Sequence, residues 1–209
     1  MRGSIRRFTG AVDFEARASM LRQQPLTLWL TGLSGSGKST IAYELERHLV
    51  ALGHPCYVLD GDNIRHGLTS DPGFRPEDRR ENIRRVAHVA QLMNDAGLIV
   101  ITSLISPMRE DRAMARNIIG AERFFETYLS ASVDTCAARD PKGLYVKAKA
   151  GIIPSFTGIS APYEHPEQPD LEIDTALLDE ATSVSLIFNY LRTKSFGDLD
   201  GCGANRDRH

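Results

Sequence analysis

Residues 26–39 read Leu-Thr-Leu-Trp-Leu-Thr-Gly-Leu-Ser-Gly-Ser-Gly-Lys-Ser. The apolar and β-prone residues at 26–31 predict a strand. Residues 32–39 satisfy the pattern Gly-x-x-x-x-Gly-Lys-Ser/Thr, and the apolar spacing that follows predicts a helix over 39–52. A strand, a glycine-rich loop and a helix in this order are typical of a loop that holds nucleotide phosphates.

Each residue type in this loop has a physical task. Glycines let the backbone curl so that successive N–H groups point at phosphate oxygens. Lys38 is expected to reach the β- and γ-phosphates and to act in catalysis, and the hydroxyl of Ser39 is expected to ligate Mg²⁺. The predicted ATP-binding residues are Gly32, Leu33, Ser34, Gly35, Ser36, Gly37, Lys38, Ser39 and Thr40.

Strand and helix signals alternate along the rest of the chain. Further strands are predicted at 56–60, 98–103 and 124–129, and further helices at 78–96, 107–119 and 177–191. This alternation predicts an α/β fold with three layers, in which helices flank a mostly parallel central sheet, as in P-loop NTPases.

One stretch interrupts this pattern and two ends lie outside it. Residues 140–165 are irregular, rich in Pro and Gly, and contain several lysines, which predicts a lid. We therefore expect an N-terminal extension over 1–24 with at most one short helix, a kinase-like domain over 25–194, and a flexible tail over 195–209.

Composition excludes several classes of protein. The chain has 209 residues with 42% hydrophobic and 25% charged residues, which suits one globular domain. Its net charge of -2 gives no positive field for nucleic acid, and no apolar run is long enough to span a bilayer. The first residues lack the apolar stretch of a secretory signal, and the cysteines (Cys56, Cys136 and Cys202) lack metal-ligand spacing. A cytoplasmic protein without nucleic-acid or membrane partners is expected.

The carboxylates next to the loop favour a small-molecule kinase over a switch or a motor. The sequence contains no guanine-reading Asn-Lys-x-Asp, and the predicted strand at 98–103 ends in Thr-Ser rather than in an acidic pair. Instead, Asp60-Gly61-Asp62-Asn63 follows the predicted strand at 56–60, at the sheet edge where ligands bind in such folds. Asp62 is therefore the candidate that orients or deprotonates an acceptor hydroxyl or holds a water of Mg²⁺, although Asp-Gly also suits a plain turn or helix cap.

The predicted helix at 78–96 offers a candidate anion site. Arg79 and Asn82 are three residues apart and share a helix face. A bidentate arginine suits a phosphate or sulfate group, and an asparagine suits a sugar or base edge. A solvated charged helix surface is the alternative interpretation.

Several segments in order make the chain similar to adenylylsulfate kinases (APS kinases), which phosphorylate the 3′-hydroxyl of adenosine 5′-phosphosulfate (APS). The resemblance covers roughly residues 25–192. The matching segments are Gly-Leu-Ser-Gly-Ser-Gly-Lys-Ser (32–39), Leu-Asp-Gly-Asp-Asn-Ile-Arg (59–65), Asp-Arg-Arg-Glu-Asn-Ile-Arg-Arg (78–85), Ile-Ser-Pro-Met-Arg-Glu-Asp-Arg (105–112), Arg-Asp-Pro-Lys-Gly-Leu-Tyr (139–145) and Phe-Thr-Gly-Ile-Ser-Ala-Pro-Tyr-Glu (156–164).

The resemblance implies ATP with Mg²⁺ as donor, APS as acceptor, and 3′-phosphoadenylyl sulfate (PAPS) and ADP as products in sulfate activation. It implies that two rings sandwich the acceptor adenine and that Arg139 packs on the ATP adenine. It also implies a homodimer and a possible functional association with ATP sulfurylase. The substrate-binding residues that it implies are Asp62, Arg65, Phe74, Arg79, Asn82, Ile105, Ser106, Lys142 and Phe156.

Two questions stay open from the sequence. Ser106 is either a helix N-cap that lines the substrate site, with Pro107 as first helical residue, or a catalytic phosphoserine intermediate. Direct transfer needs only positioned reactants, a metal ion and cations. The alternative functions are another small-molecule kinase, or a non-catalytic domain that binds APS or PAPS and regulates a partner.

Overall fold

The computed structural model describes residues 6, 8 and 10–196. Its centre is a sheet of five parallel strands in the order β2-β3-β1-β4-β5. The strands are β1 (Thr27–Thr31), β2 (Cys56–Asp60), β3 (Ile99–Ser103), β4 (Phe124–Ser130) and β5 (Leu171–Asp174). The predicted three-layer α/β fold with a parallel sheet is thereby confirmed.

Helices cover both faces of this sheet. They are α1 (Phe14–Leu21), α2 (Lys38–Ala51), α3 (Gly61–Ile64), α4 (Pro76–Asp95), α5 (Arg109–Ile119), α6 (Val133–Arg139), α7 (Leu144–Lys149) and α8 (Glu180–Leu191), and a π-helical turn (Arg192–Phe196) follows α8. None of the helices in the described ranges is long and apolar enough to cross a bilayer.

The alternation of β1 side chains explains the two layers. Leu28 and Leu30 face a core formed with α2 and α8, whereas Trp29 faces a second core formed with α4 and α5. All five residues of β1 are buried because the strand lies at the centre of the sheet. The phosphate-loop sequence therefore starts from the central, fully buried strand of the sheet.

A third apolar cluster fixes the predicted lid segment to the phosphate loop. Leu33 of that loop packs with Cys136 of α6, with Tyr145 and Ala148 of α7, and with Phe156. The segment at 140–165 is thus partly helical, and its buried aromatic residues hold it against residues 32–39. Among the described elements, β5 and the short helices α1, α3, α6 and α7 lacked a clear periodic signal in the sequence.

The start of α5 differs from the prediction. This helix begins at Arg109 with Met108 as N-cap, so the prediction that Ser106 caps the helix and that Pro107 is its first residue is wrong. The backbone N–H of Arg109 is instead satisfied by a carboxylate oxygen of Glu164, at 2.8 Å. A cap supplied from distant sequence therefore replaces the local Ser-Pro signal.

The two ends of the chain are described only in part. Helix α1 is the one short helix expected in the N-terminal extension, and Asp13 caps it. Ser195 is buried, and its hydroxyl donates to the backbone oxygen of Gln24 at 2.6 Å. The predicted flexible tail starts at residue 195. Its residues 197–209, which include Cys202, lie outside the described part of the chain.

Candidate active site

The loop at residues 32–39 follows β1 and turns tightly into α2. Gly35 and Gly37 have φ angles of 82° and 89°, a left-handed region that favours glycine. A Cβ atom at Gly35 would lie 2.9 Å from the backbone oxygen of Cys136, and one at Gly32 would lie 2.6 Å from that of Leu129. The loop is therefore pressed against β4 and α6, and glycine is required there for packing as well as for conformation.

The ammonium group of Lys38 is enclosed by this loop. Its Nζ donates to the backbone oxygens of Gly32 at 2.9 Å and Leu33 at 2.7 Å. Burial lowers the pKa of Lys38 to about 8, because a charged amine loses solvation inside the protein. The loop thus holds a cation beside the N–H groups that are expected to meet phosphate oxygens.

Three oxygen-bearing side chains meet at the start of α2. The Ser39 hydroxyl donates to Oδ2 of Asp60 at 2.6 Å and lies 3.1 Å from Oγ of Ser103. Asp60 and Ser103 are paired residues at the carboxyl ends of neighbouring strands β2 and β3. Oxygen donors of this kind fit a hard divalent cation such as Mg²⁺.

The contribution of Asp60 and Ser103 to this group was not predicted from the sequence. Both are the last residue of a predicted strand, and this position is the signal that pointed to the ligand edge of the sheet. Their meeting with Ser39 depends on β2 and β3 being neighbours, which strand prediction does not give. Asp60 also caps α3, accepting from the backbone N–H of Asp62 at 3.0 Å.

Asp62 lies in the first turn of α3, just beyond the end of β2. Its carboxylate forms an ion pair with the ammonium of Lys142, and both side chains are more than half exposed. Lys142 belongs to the lid segment, so this contact brings the lid over the edge of the sheet that carries Ser39 and Asp60. The structure therefore brings two of the predicted site residues together.

Arg79 links helix α4 to the lid segment. Its guanidinium donates to the backbone oxygen of Phe74 at 2.8 Å, to Oγ1 of Thr157 at 2.7 Å and to the backbone oxygen of Ser155 at 2.7 Å. These partners flank both aromatic residues named in the sequence analysis, because Phe156 lies between Ser155 and Thr157. In this state Arg79 fixes the segments that carry the two rings.

The two rings have different surroundings. Phe74 is 63% exposed, and the guanidinium of Arg65 lies 4.3 Å from its ring centroid. Phe156 is buried and meets the ring of Tyr145 edge-on, with centroids 4.9 Å apart. Phe74 is therefore free to take up a second flat group, while Phe156 is also part of the apolar cluster beneath the lid.

Asn82 lies one helical turn beyond Arg79 and is buried. Its Oδ1 atom has no hydrogen-bond partner among the described residues. A buried amide oxygen without a donor costs about 1–3 kcal/mol, so a bound ligand that offers an N–H or O–H group would be favoured there.

Ser106 is held inside the protein between β3 and α5. Its φ angle is 39°, and its Oγ accepts from the indole nitrogen of the buried Trp29 at 3.1 Å. The backbone oxygen of Ile105 accepts from the Thr31 hydroxyl at 2.8 Å. The Ser106 hydroxyl is thus engaged with Trp29 and does not cap α5.

Arg139, the last residue of α6, contacts the phosphate loop. Its guanidinium is 3.4 Å from the backbone oxygen of Gly35 and also donates to the backbone oxygen of Thr175, just after β5. Arg139 therefore joins the phosphate loop to the segment that follows β5.

Comparison with known proteins adds a family to this geometry. The sequence pattern of the family described as adenylylsulphate kinase matches residues 24–174. The adenylyl-sulfate kinase of Shewanella pealeana is 54% identical over 181 residues, which are 87% of this chain and 88% of the relative. The bifunctional enzyme NodQ of Rhizobium tropici is 55% identical over 88% of this chain, which spans 29% of that longer relative.

A solved structure gives the same answer. The Mycobacterium tuberculosis APS kinase in complex with AMPPNP and APS superposes with a TM-score of 0.78 at 46% sequence identity. The match covers 81% of this chain and 98% of that structure. Sequence and fold therefore point to one family.

Proposed function

Because this chain belongs to the adenylylsulphate kinase family, we propose that it transfers the γ-phosphate of ATP to the 3′-hydroxyl of APS, giving PAPS and ADP in sulfate activation. The chain is a kinase. The observation that supports the proposal is a phosphate loop that encloses Lys38, beside the sheet edge to which the Asp62–Lys142 ion pair brings the lid segment.

The donor half of the site consists of residues 32–40. Backbone N–H groups of the loop and of the first turn of α2 hold the phosphates, and Lys38 offsets the negative charge that develops during transfer. Arg139 packs on the adenine of ATP. Mg²⁺ would be held by Ser39, with Asp60 and Ser103 beside it, and would supply neutralisation of phosphate charge.

The acceptor half consists of residues from α3, α4 and the lid. Phe74 and Phe156 hold the APS adenine, and Arg65, Arg79 and Asn82 bind its phosphosulfate and nucleoside groups, with Ile105 and Ser106 lining the site. The 3′-hydroxyl then lies near Asp62. Closing the lid excludes water, which would otherwise compete with APS for the phosphoryl group.

The chemical step is a direct displacement. The 3′-oxygen attacks the γ-phosphorus while the bond from that phosphorus to the β,γ-bridging oxygen breaks, and ADP leaves. The proton of the hydroxyl passes to the Asp62 carboxylate. Lys142, which pairs with Asp62, also supplies positive charge toward the transferring phosphate.

Ser106→Ala is expected to keep kcat within about 10-fold of the unchanged chain, since direct transfer needs no covalent intermediate. The expected reduction in kcat comes from removing the hydrogen-bond acceptor of the Trp29 indole N–H. Steady-state kinetics with ATP and APS measures kcat. A kcat reduced to background, with intact folding, would establish an obligatory phosphoserine instead.

ATP binding is expected to take up a proton at about pH 8.5, because Lys38 in the free protein has a pKa of about 8. This pKa lies below the ordinary value of a lysine, so Lys38 is mostly neutral above pH 8, and bound phosphates raise it again. The ATP affinity therefore falls as pH rises through that range.

Titration calorimetry in two buffers with different ionisation enthalpies measures this uptake. The Lys38→Met variant is the control, and its uptake is expected to be lost. Equal uptake by both proteins would show that another group takes the proton.

Acceptor choice tests the proposed function as a whole. With ATP and Mg²⁺, ADP release is expected with APS and at background level with AMP, adenosine or shikimate. Release with one of the other acceptors would identify a different small-molecule kinase. Binding of APS without any turnover would identify a regulatory domain.

The proposal also covers where the protein acts and which proteins it associates with. Since ATP is the donor, we expect the reaction to take place in the cytoplasm. We also propose that the chain forms a homodimer and that it operates together with an ATP sulfurylase, which would supply APS. The similarity to part of a longer bifunctional relative supports the association with a sulfurylase. Light scattering of the chain, with and without a sulfurylase, tests the homodimer and the association.

A further inference from the structure

The loop between β3 and α5 adopts a conformation that needs support. Ser106 has a positive φ of 39°, which is unfavourable for a residue with a side chain. Trp29 and Thr31 hold this loop from β1, through the Ser106 hydroxyl and the Ile105 backbone oxygen. A further contact reaches it from α5.

That contact is made by Arg112, which is 2% exposed. Its guanidinium donates to the Ser106 backbone oxygen at 2.7 Å, to the Glu164 backbone oxygen at 2.8 Å and to Oε1 of Glu126 at 2.6 Å. Glu126 lies on β4, so its carboxylate compensates the buried charge. Each of the three guanidinium nitrogens of Arg112 therefore donates a hydrogen bond to a different segment of the chain.

Glu164 belongs to the end of the lid segment and is bound twice to the same loop. Its backbone N–H donates to the Pro107 oxygen at 2.9 Å, and its carboxylate accepts from the Arg109 N–H at 2.8 Å. The lid end, the Ser106 loop and the start of α5 thus form one hydrogen-bonded unit. Arg112 bonds to both the loop and the lid end, and the Thr31 hydroxyl also reaches both, through Ile105 and Tyr163.

We propose that Arg112 is a positioning residue that ties the end of the lid to the acceptor-side loop at Ile105 and Ser106. When the lid closes on the acceptor, Arg112 keeps that loop in register with Glu164. It acts on acceptor binding and turnover, and leaves the donor loop at residues 32–39 untouched. This inference rests on the proposed function, because it assigns Ile105 and Ser106 to the acceptor side.

The test compares Arg112→Ala and Arg112→Lys with Arg116→Ala as matched control. Arg116 is one turn further along α5 and bonds to Asp170 at 2.7 Å and to the Phe124 backbone oxygen at 3.2 Å, away from Ser106 and Glu164. For each variant, kcat and KM for APS, the ATP affinity and the thermal unfolding midpoint are measured.

We expect Arg112→Ala to lower kcat/KM for APS by about 100-fold, since small misplacement of a site element has effects of that size. The ATP affinity should change by less than about 3-fold, because no Arg112 bond reaches the donor loop. Arg112→Lys should recover about 10-fold of the loss, since lysine keeps the charge beside Glu126 without the planar fork. Arg116→Ala should stay within about 3-fold of the unchanged chain.

Several results would overturn the inference. One is that Arg112→Ala has the same APS kinetics as Arg116→Ala. Another is that Arg112→Ala loses as much affinity for ATP as catalytic efficiency with APS, and another is that neither Arg112 variant folds, which would mark a purely structural residue. If only Arg112→Ala fails to fold, unchanged APS kinetics in Arg112→Lys overturns it. An unchanged chain without APS-dependent ADP release would instead refute the proposed function.

Discussion

Replacing Asp62 with asparagine is expected to lower kcat by about 100-fold or more, while KM for APS changes little. Asparagine keeps the shape of the side chain but cannot accept the proton of the 3′-hydroxyl. It also removes the charge that pairs with Lys142. Both side chains are more than half exposed, so this loss costs little stability. Steady-state kinetics over a range of APS concentrations separates kcat from KM.

Asp134→Asn is the matched control for that experiment. Asp134 is exposed and, like Asp62, is the second residue of a short helix, in this case α6. Its replacement removes the same charge from the same helical position and should leave kcat within about 2-fold. A near-normal kcat in Asp62→Asn would remove Asp62 from proton transfer. A similar loss in both variants would indicate a general effect of charge.

Replacing Lys38 with methionine is expected to lower kcat/KM for ATP by about 100-fold to 1000-fold. The ammonium is the cation of the phosphate loop and donates to the backbone oxygens of Gly32 and Leu33. Methionine fills similar space without charge. Kinetics at saturating APS, with ATP varied, measures the effect.

Folding is the control for Lys38→Met. Burial lowers the pKa of Lys38 well below that of an unfolded lysine, so the folded protein holds the charged form at a cost. The unfolding midpoint of the variant should therefore lie no more than about 3 °C below that of the unchanged chain. Lys149→Met, at an exposed lysine that ends α7, should keep full activity. An active Lys38→Met would contradict the role given to the loop.

The donor side could be predicted from sequence because its signal is local. Residues 26–39 contain the strand, the glycines and the lysine in one contiguous stretch, so the pattern can be read without knowing which distant segments pack against it. The same holds for the helix at 78–96, whose apolar period is long and regular. The structure confirms the fold that these elements predicted.

The remaining features depend on contacts between distant segments. Ser39 meets Asp60 and Ser103 only because β2 and β3 are neighbours in the sheet. A helix cap was one of the two interpretations of Ser106, from a local Ser-Pro signal, but Glu164 from the lid bonds to the start of the helix instead. No periodicity or spacing in the sequence encodes these pairings.

Short elements were missed for a related reason. β5 has four residues, and Ile173 is the only one fully buried, so its apolar signal is too brief to separate it from a loop. The lid contains α7, which has six residues and is held by the buried ring of Tyr145. Tertiary packing rather than local propensity specifies such elements.

The position of the transferred phosphate tests the central claim most directly. ATP labelled at its γ-phosphate is incubated with the chain, Mg²⁺ and APS, and the labelled nucleotide is then treated with a phosphatase specific for 3′-phosphates. The account predicts that label enters the APS nucleotide and is released completely by that treatment. Label that resists it, or no APS-dependent transfer at all, would contradict a site that places the 3′-hydroxyl of APS beside Asp62.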